Sequence, residues 1–203
     1  MYRAPVEDMK FLIDDVLNAG EHLGSLDRFA EMGLGPELTS ALLDEAAKLS
    51  GEVVSPLRRV ADENPARCED KKIVLTPGYA EALQQLAAGG WFGISADAEW
   101  GGQNLPEIYS TAACEMWSGA DMAFALAPFL SSGAALAIAA HGSDQVKHTY
   151  LEKLHTGEWT GTMNLTEAGA GADLGPMKTR AVKNGDHYLI TGQKIYITWG
   201  DHD

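Results

Sequence analysis

Met163-Asn164-Leu165-Thr166-Glu167 runs into Ala168-Gly169-Ala170-Gly171-Ala172-Asp173, and further on stands Gly192-Gln193-Lys194-Ile195-Tyr196-Ile197-Thr198. Both apolar runs alternate with the period of two that marks a strand. Each carries a hydroxyl near its end, so two neighbouring strands would offer Thr166 and Thr198 to one flat, hydrogen-bonding ring. A flavin needs such donors, because reduction puts negative charge on its pyrimidine edge and a proton at N5.

Working outward, the periodicity before residue 158 is 3.6 and after it 2, which places a domain boundary there. Val6 to Leu17 has apolar residues at Met9, Leu12, Ile13, Val16 and Leu17, the spacing of a short amphipathic helix closed by Gly20. Pro36 to Val54 repeats the pattern with Leu38, Leu42, Leu43, Ala46 and Leu49 and predicts a longer helix running up to Pro56. Ala61 to Thr76 is charged and irregular and reads as a loop. Pro77 to Ala88 is helical and ends at Gly89-Gly90. Leu105 to His141 is rich in Ala, Met and Leu and reads as two or three helices broken at Gly119-Ala120-Asp121 and near Pro128. Within it Ala134 to Ala140 is apolar nearly all round, the mark of a buried helix. Ser143 opens a last helix through Leu154. Beyond Trp159, strands are expected at Thr162 to Leu165, Lys178 to Val182 and His187 to Thr198, with Asn184-Gly185-Asp186 turning the last two into a hairpin.

The 203 residues, 45% hydrophobic and 22% charged, can fill a globular core. The chain reads as having no apolar run of about 18 residues and no signal-like N-terminus, so neither a membrane partner nor secretion is expected, and a cytoplasmic place is. Cys68 and Cys114 are too far apart and too isolated for a zinc site or a disulfide scaffold. A formal charge of −14 argues against nucleic-acid binding. The ending Gly200-Asp201-His202-Asp203 follows directly on a strand, which suggests an N-terminal part of a longer polypeptide.

Gly169-x-Gly171 lacks the third glycine of a dinucleotide fingerprint, since Leu174 occupies that position, and strand rather than helix is expected after it. A glycine-bearing loop between strands can still meet phosphate with its backbone N–H groups. Trp91, Trp100, Trp117 and Trp159 read as core. No Gly-x-Ser-x-Gly or His-Glu-x-x-His is present, so hydrolase and metalloenzyme readings have no foothold.

His141-Gly142, Tyr150-Leu151-Glu152-Lys153-Leu154, Gly157-Glu158-Trp159, the Leu-Thr-Glu motif and Gly-Gln-Lys-Ile-Tyr-Ile-Thr together resemble the acyl-CoA dehydrogenase family, where its helical N-terminal domain hands over to the central β-domain. Tyr2 to Phe11 resembles the N-terminal extension of one branch. The resemblance implies an α+β chain: an extension over 1–35, an all-α helical bundle over 36–158, and the first strands of a β-barrel-like middle domain over 159–203. It implies FAD as cofactor, an acyl-CoA thioester oxidised to the trans-2-enoyl-CoA, an electron-transfer flavoprotein as partner, and a homo-oligomer, dimer or tetramer. It places Met163, Leu165 and Thr166 at the pyrimidine edge, Tyr196 against the ring, Thr198 on the N5 side, and Gly171 and Ala172 at the pyrophosphate. The chain departs from the family at Ala168, where proline is common, and at Ala172, where a hydroxyl residue is common. Tyr196 replaces the more frequent tryptophan or phenylalanine. The family's catalytic glutamate lies in a C-terminal domain that this sequence does not contain, so no catalytic residue is assigned among Glu99, Glu115, Glu158 and Glu167. A flavin oxidase or monooxygenase on the same fold, or a helical interaction module pairing through its strand edge, are the alternatives.

Overall fold

In the computed structural model, which describes residues 2–202, a helical bundle is followed by a strand-bearing tail. Helix α1 (Val6–Lys10) continues as a π turn over Phe11–Val16, and α2 (Ala19–Gly24) follows. The break between them is Asn18, in left-handed conformation, ahead of the predicted stop at Gly20. Met9 and Ile13 are buried, whereas Leu12, Val16 and Leu17 face outward, so three of the five residues of the predicted apolar stripe are surface.

Helix α3 (Pro36–Lys48) buries Thr39, Leu43 and Ala46, and the stripe continues through Ser50 and Val54 of the π turn Leu49–Val54 into α4 (Ser55–Glu63). Pro56 therefore does not end this helix. Proline has no N–H and its ring crowds the carbonyl four residues back. Here the wider π turn takes up that misfit, and α4 restarts with Pro56 in its first turn. The stretch 61–76, expected as a loop, holds the end of α4 and a small antiparallel hairpin, β1 (Arg67–Glu69) with β2 (Lys72–Val74), turned by Asp70 and Lys71 at positive φ.

Helices α5 (Tyr79–Ala88), α6 (Glu107–Ala120), α7 (Met122–His141) and α8 (Asp144–His155) complete the bundle, with α6 packed on α3 and α7, and α7 on α8. The main core gathers Leu43, Val54, Leu86, Met116 and Phe124, each essentially without exposure. Burying such a side chain contributes about 1.5–3 kcal/mol, whereas the attraction of a surface ion pair such as Lys10–Asp44 at 3.1 Å is largely screened by water. Apolar burial thus holds the bundle. Trp91 and Trp117 meet edge to face in that core, centroids 5.5 Å apart, as their core reading anticipated, whereas Trp100 is only partly buried and Trp159 is 40% exposed, which corrects that reading for these two. The N-terminal segment is tied in by Thr39, which donates to Asp14 at 2.9 Å and lies 3.2 Å from the Tyr109 hydroxyl.

Pro128 does not break α7: it is buried in mid-helix, so packing offsets the bond it cannot make to the Phe124 carbonyl. The result is one helix of 20 residues, long and apolar enough by length and composition to cross a membrane, which corrects the expectation of no such run. Nor is Ala134 to Ala140 buried all round. Ala135 faces the core, but Leu136 is 72% exposed and aligns with exposed Phe129 and Met122 along one side. The helix begins at Asp121, whose carboxylate accepts from Ala123 N (3.0 Å), Phe124 N (3.2 Å) and the Tyr79 hydroxyl (2.8 Å).

In the tail, β3 (Arg180–Asn184) pairs antiparallel with β4 (His187–Thr191), Val182 opposite Leu189. The turn is Gly185-Asp186, with positive φ at Gly185 alone, the requirement that glycine meets most easily. The expected strands are displaced or shortened: Lys178 to Val182 shifts to β3, His187 to Thr198 stops at Thr191, and Thr162 to Leu165 is irregular. Both strands of the hairpin are exposed throughout, so no packed face enforces a longer ladder. Met1 and Asp203, the last residue of the ending noted above, lie outside the described residues.

Removing the carboxylate at Asp121 deletes a helix cap and strands a buried tyrosine hydroxyl. Asp121→Ala is expected to cost about 2–3 kcal/mol, measured as a fall in the urea midpoint of helix unfolding.

Candidate functional site

The tail turns away from α8 through Trp159, over whose ring the Lys153 ammonium sits at 4.2 Å while also pairing with Glu158 at 2.9 Å. It then lies against α7 at Gly161. The Gly161 N–H donates to Ser131 Oγ at 3.0 Å, and a Cβ there would stand 2.4 Å from the Ala134 methyl, so only glycine permits the approach. A groove of ≈ 640 Å³ opens beside this junction, lined by Leu83, Phe92, Trp159, Thr162, Trp199 and Asp201 among others.

The two motif segments are neighbours, as their patterns predict, but joined by single bonds and not by a ladder. The Ile195 N–H donates to the Thr166 carbonyl at 2.9 Å, and the Thr162 hydroxyl donates to the Thr198 carbonyl at 2.5 Å. Leu165 and Thr166 are half-buried; Met163, Gly171, Ala172 and Thr198 are exposed; Tyr196 is 86% exposed at a positive φ of 56°. Among the described residues the hydroxyls of Thr166 and Thr198 take no protein partner.

What fastens the segments is Glu167. Its carboxylate, 8% exposed, accepts from Lys178 N (2.8 Å), Thr179 N (3.0 Å) and Lys194 Nζ (2.9 Å), and Lys194 donates also to the Leu165 carbonyl at 2.9 Å. The Glu167 and Ala170 backbones exchange two bonds, closing the loop that starts at Ala168. The Thr179 hydroxyl, the Lys178 N–H, the Lys194 ammonium and the Thr179 N–H hold the Glu167 carboxyl down to about 2, against a smaller opposing effect of desolvation. That hydroxyl lies buried beside the carboxylate without the geometry of a full hydrogen bond, so the directed bonds are those of the two amides and the lysine. Glu167 and Lys194 stand inside the two motifs, where no spacing along the chain pairs them. The signal was there: opposite charges on two segments already expected to lie side by side.

Loop Ala168 to Gly175 leads to β3 with no helix between, unlike a dinucleotide-binding unit. At Gly169 and Gly171 an added Cβ would meet no atom within 4 Å, and neither has positive φ. The chain's own packing therefore does not demand glycine there. Two free hydroxyls, an outward aromatic and an open backbone loop make a surface suited to a planar, hydrogen-bonding ligand with an anionic tail.

A model of the family described as acyl-CoA dehydrogenase, N-terminal domain, matches residues 37–158. The 3-methylmercaptopropionyl-CoA dehydrogenase of Ruegeria pomeroyi is 42% identical over 203 residues, all of this chain and 34% of that protein. The chain thus spans about a third of the length of the curated relatives it matches. Among solved structures, a glutaryl-coenzyme A dehydrogenase in complex with glutaryl-CoA is similar with a TM-score of 0.68 and 26% identity, over 81% of this chain and 40% of that one. An acyl-CoA dehydrogenase from Bacillus anthracis complexed with FAD gives 0.65 and 25%, over 82% and 27%.

A carboxyl held below its ordinary value of about 4.3 stabilises the fold above that value. The contribution declines as pH falls from there through about 2. The ¹³C signal of the Glu167 carboxyl is expected to titrate near 2 in the native chain and markedly higher in Lys194→Met. A midpoint at the ordinary value in both would refute the clamp.

Proposed function

Since the chain belongs to the acyl-CoA dehydrogenase family, we propose that it forms the helical side and one flavin-binding edge of an FAD-dependent enzyme that oxidises an acyl-CoA thioester to the trans-2-enoyl-CoA. The observation that carries this reading is the joining of the Thr166 and Thr198 segments with both hydroxyls free and the adjoining glycine loop open.

Thr166 and Thr198 would donate to the ring, Met163 and Leu165 would support it with apolar contact, and Tyr196 would lie against it. Gly171 and Ala172 would meet the pyrophosphate with backbone N–H groups; Ala172 brings no hydroxyl, so the loop relies on its backbone. When bound, FAD would supply the two-electron acceptor that accepts hydride from the thioester's β-carbon. The Glu167–Lys194 pair fixes the loop from beneath, and its low pKa makes Glu167 a weak base, suited to structure and not to proton removal. We assign the base to no residue of this chain.

The exposed apolar side of α7, at Met122, Phe129 and Leu136, supports an acyl-facing role on the helix against which the tail docks. Identity to a 3-methylmercaptopropionyl-CoA dehydrogenase favours a short, sulfur-containing acyl group. An electron-transfer flavoprotein as acceptor, assembly as a homo-oligomer and a cytoplasmic place complete the proposal, the last supported by two unpaired cysteines.

Anaerobic addition of methylmercaptopropionyl-CoA or butyryl-CoA to the complete FAD-loaded enzyme of which this chain would form part is expected to bleach the flavin bands with at least one of them. A protein that takes up no FAD sinks the reading. Gly171→Val has open space around it, so the unfolding midpoint should be unchanged while FAD affinity falls about tenfold or more, equivalent to about 1.4 kcal/mol.

A further inference from the structure

We propose that Trp199 is a positioning residue that hangs the Thr198 edge of the flavin site on the N-terminus of α7. The inference rests on the flavin reading above and goes beyond it by naming what sets that edge in place.

Trp199 directly follows Thr198 in the chain. Its indole N–H donates to the Ala123 carbonyl in the first turn of α7 at 2.9 Å. Its ring stacks on Tyr79 of α5, with centroids 5.6 Å apart and planes at 20°. Tyr79 in turn donates to Asp121 at 2.8 Å and meets Phe124 edge to face at 5.5 Å. Asp121 caps the same turn of α7 that receives the indole. Cap, phenol, indole and carbonyl therefore close a ring of contacts that joins two helices to the tail.

Trp199 adopts a φ of 54°, which few side-chain-bearing residues tolerate, and such a conformation persists where its surroundings over-determine it. Stack and hydrogen bond together do so here. The Thr198 carbonyl is otherwise held by the Thr162 hydroxyl, itself part of the tail. A ligand-binding edge works only if its donors are held within a fraction of an ångström. Trp199 provides that hold for Thr198 from the rigid bundle, and no charge or catalytic group is required of it.

The test titrates FAD into the full chain by flavin fluorescence, with the visible spectrum and far-UV circular dichroism recorded together. Trp199→Phe keeps the stack and removes the N–H; Trp199→Leu removes both; Tyr79→Phe frees Asp121 from the phenol. The dissociation constant of FAD is expected to rise about fivefold in Trp199→Phe, the worth of one neutral hydrogen bond. It should rise further in Trp199→Leu, with a shifted flavin band and unchanged helix content. A native protein that binds FAD, with Trp199→Phe and Trp199→Leu matching it in affinity and spectrum, overturns this proposal alone. A native protein that binds no FAD overturns the flavin reading as well. Should Trp199→Leu lose helix content, Trp199→Phe decides.

Discussion

A carboxylate with 5% of its surface exposed has to be satisfied by donors, and at Asp121 three of them converge from two helices. Leaving it short would cost more than most single contacts in the bundle contribute. Because the acceptor is both the first turn's cap and the partner of the Tyr79 hydroxyl, the start of α7 and the start of α5 are fixed with respect to each other. Burial and the Asp121 carboxylate push the Tyr79 phenol far above its usual value, so it remains a donor throughout the neutral range. The tail then finds a ready platform in the Tyr79 ring and the Ala123 carbonyl.

The two parts of the chain are held by different forces. In the bundle, side chains such as Leu43, Leu86, Met116 and Phe124 leave water entirely, and non-directional burial sets the architecture. In the tail, apolar residues of the hairpin remain in contact with water, Ile190 at 75% exposure, and directed bonds take over. Glu167 organises them, gathering two amides and an ammonium around one carboxylate. That division suits a ligand site: a rigid helical support carries a backbone loop and two hydroxyls whose own surroundings are open.

Much was legible from residue order. The 3.6-residue spacing located α1, α3, α5 and α8. That the Thr166 and Thr198 segments are neighbours was legible from their matching patterns, but the strands expected there do not form and the segments meet through single bonds. Prolines misled. Pro56 and Pro128 read locally as helix stops, but a π turn absorbs one and core packing offsets the other, and neither device is written at the proline itself. The hairpin at Arg67 to Val74 was hidden because Asp70 and Lys71, at positive φ, are not the glycines that usually announce such a turn.

The family and the larger helices could be read from residue order, because periodicity and motif chemistry are local properties of the chain. It took the folded chain to show that Glu167 and Lys194 form one clamp, that Trp199 reaches Tyr79 and Ala123, and that one side of α7 is exposed. Those facts depend on contacts between residues tens of positions apart: core burial brings the helices together, directed bonds gather the tail, and neither is a pattern readable within a single segment.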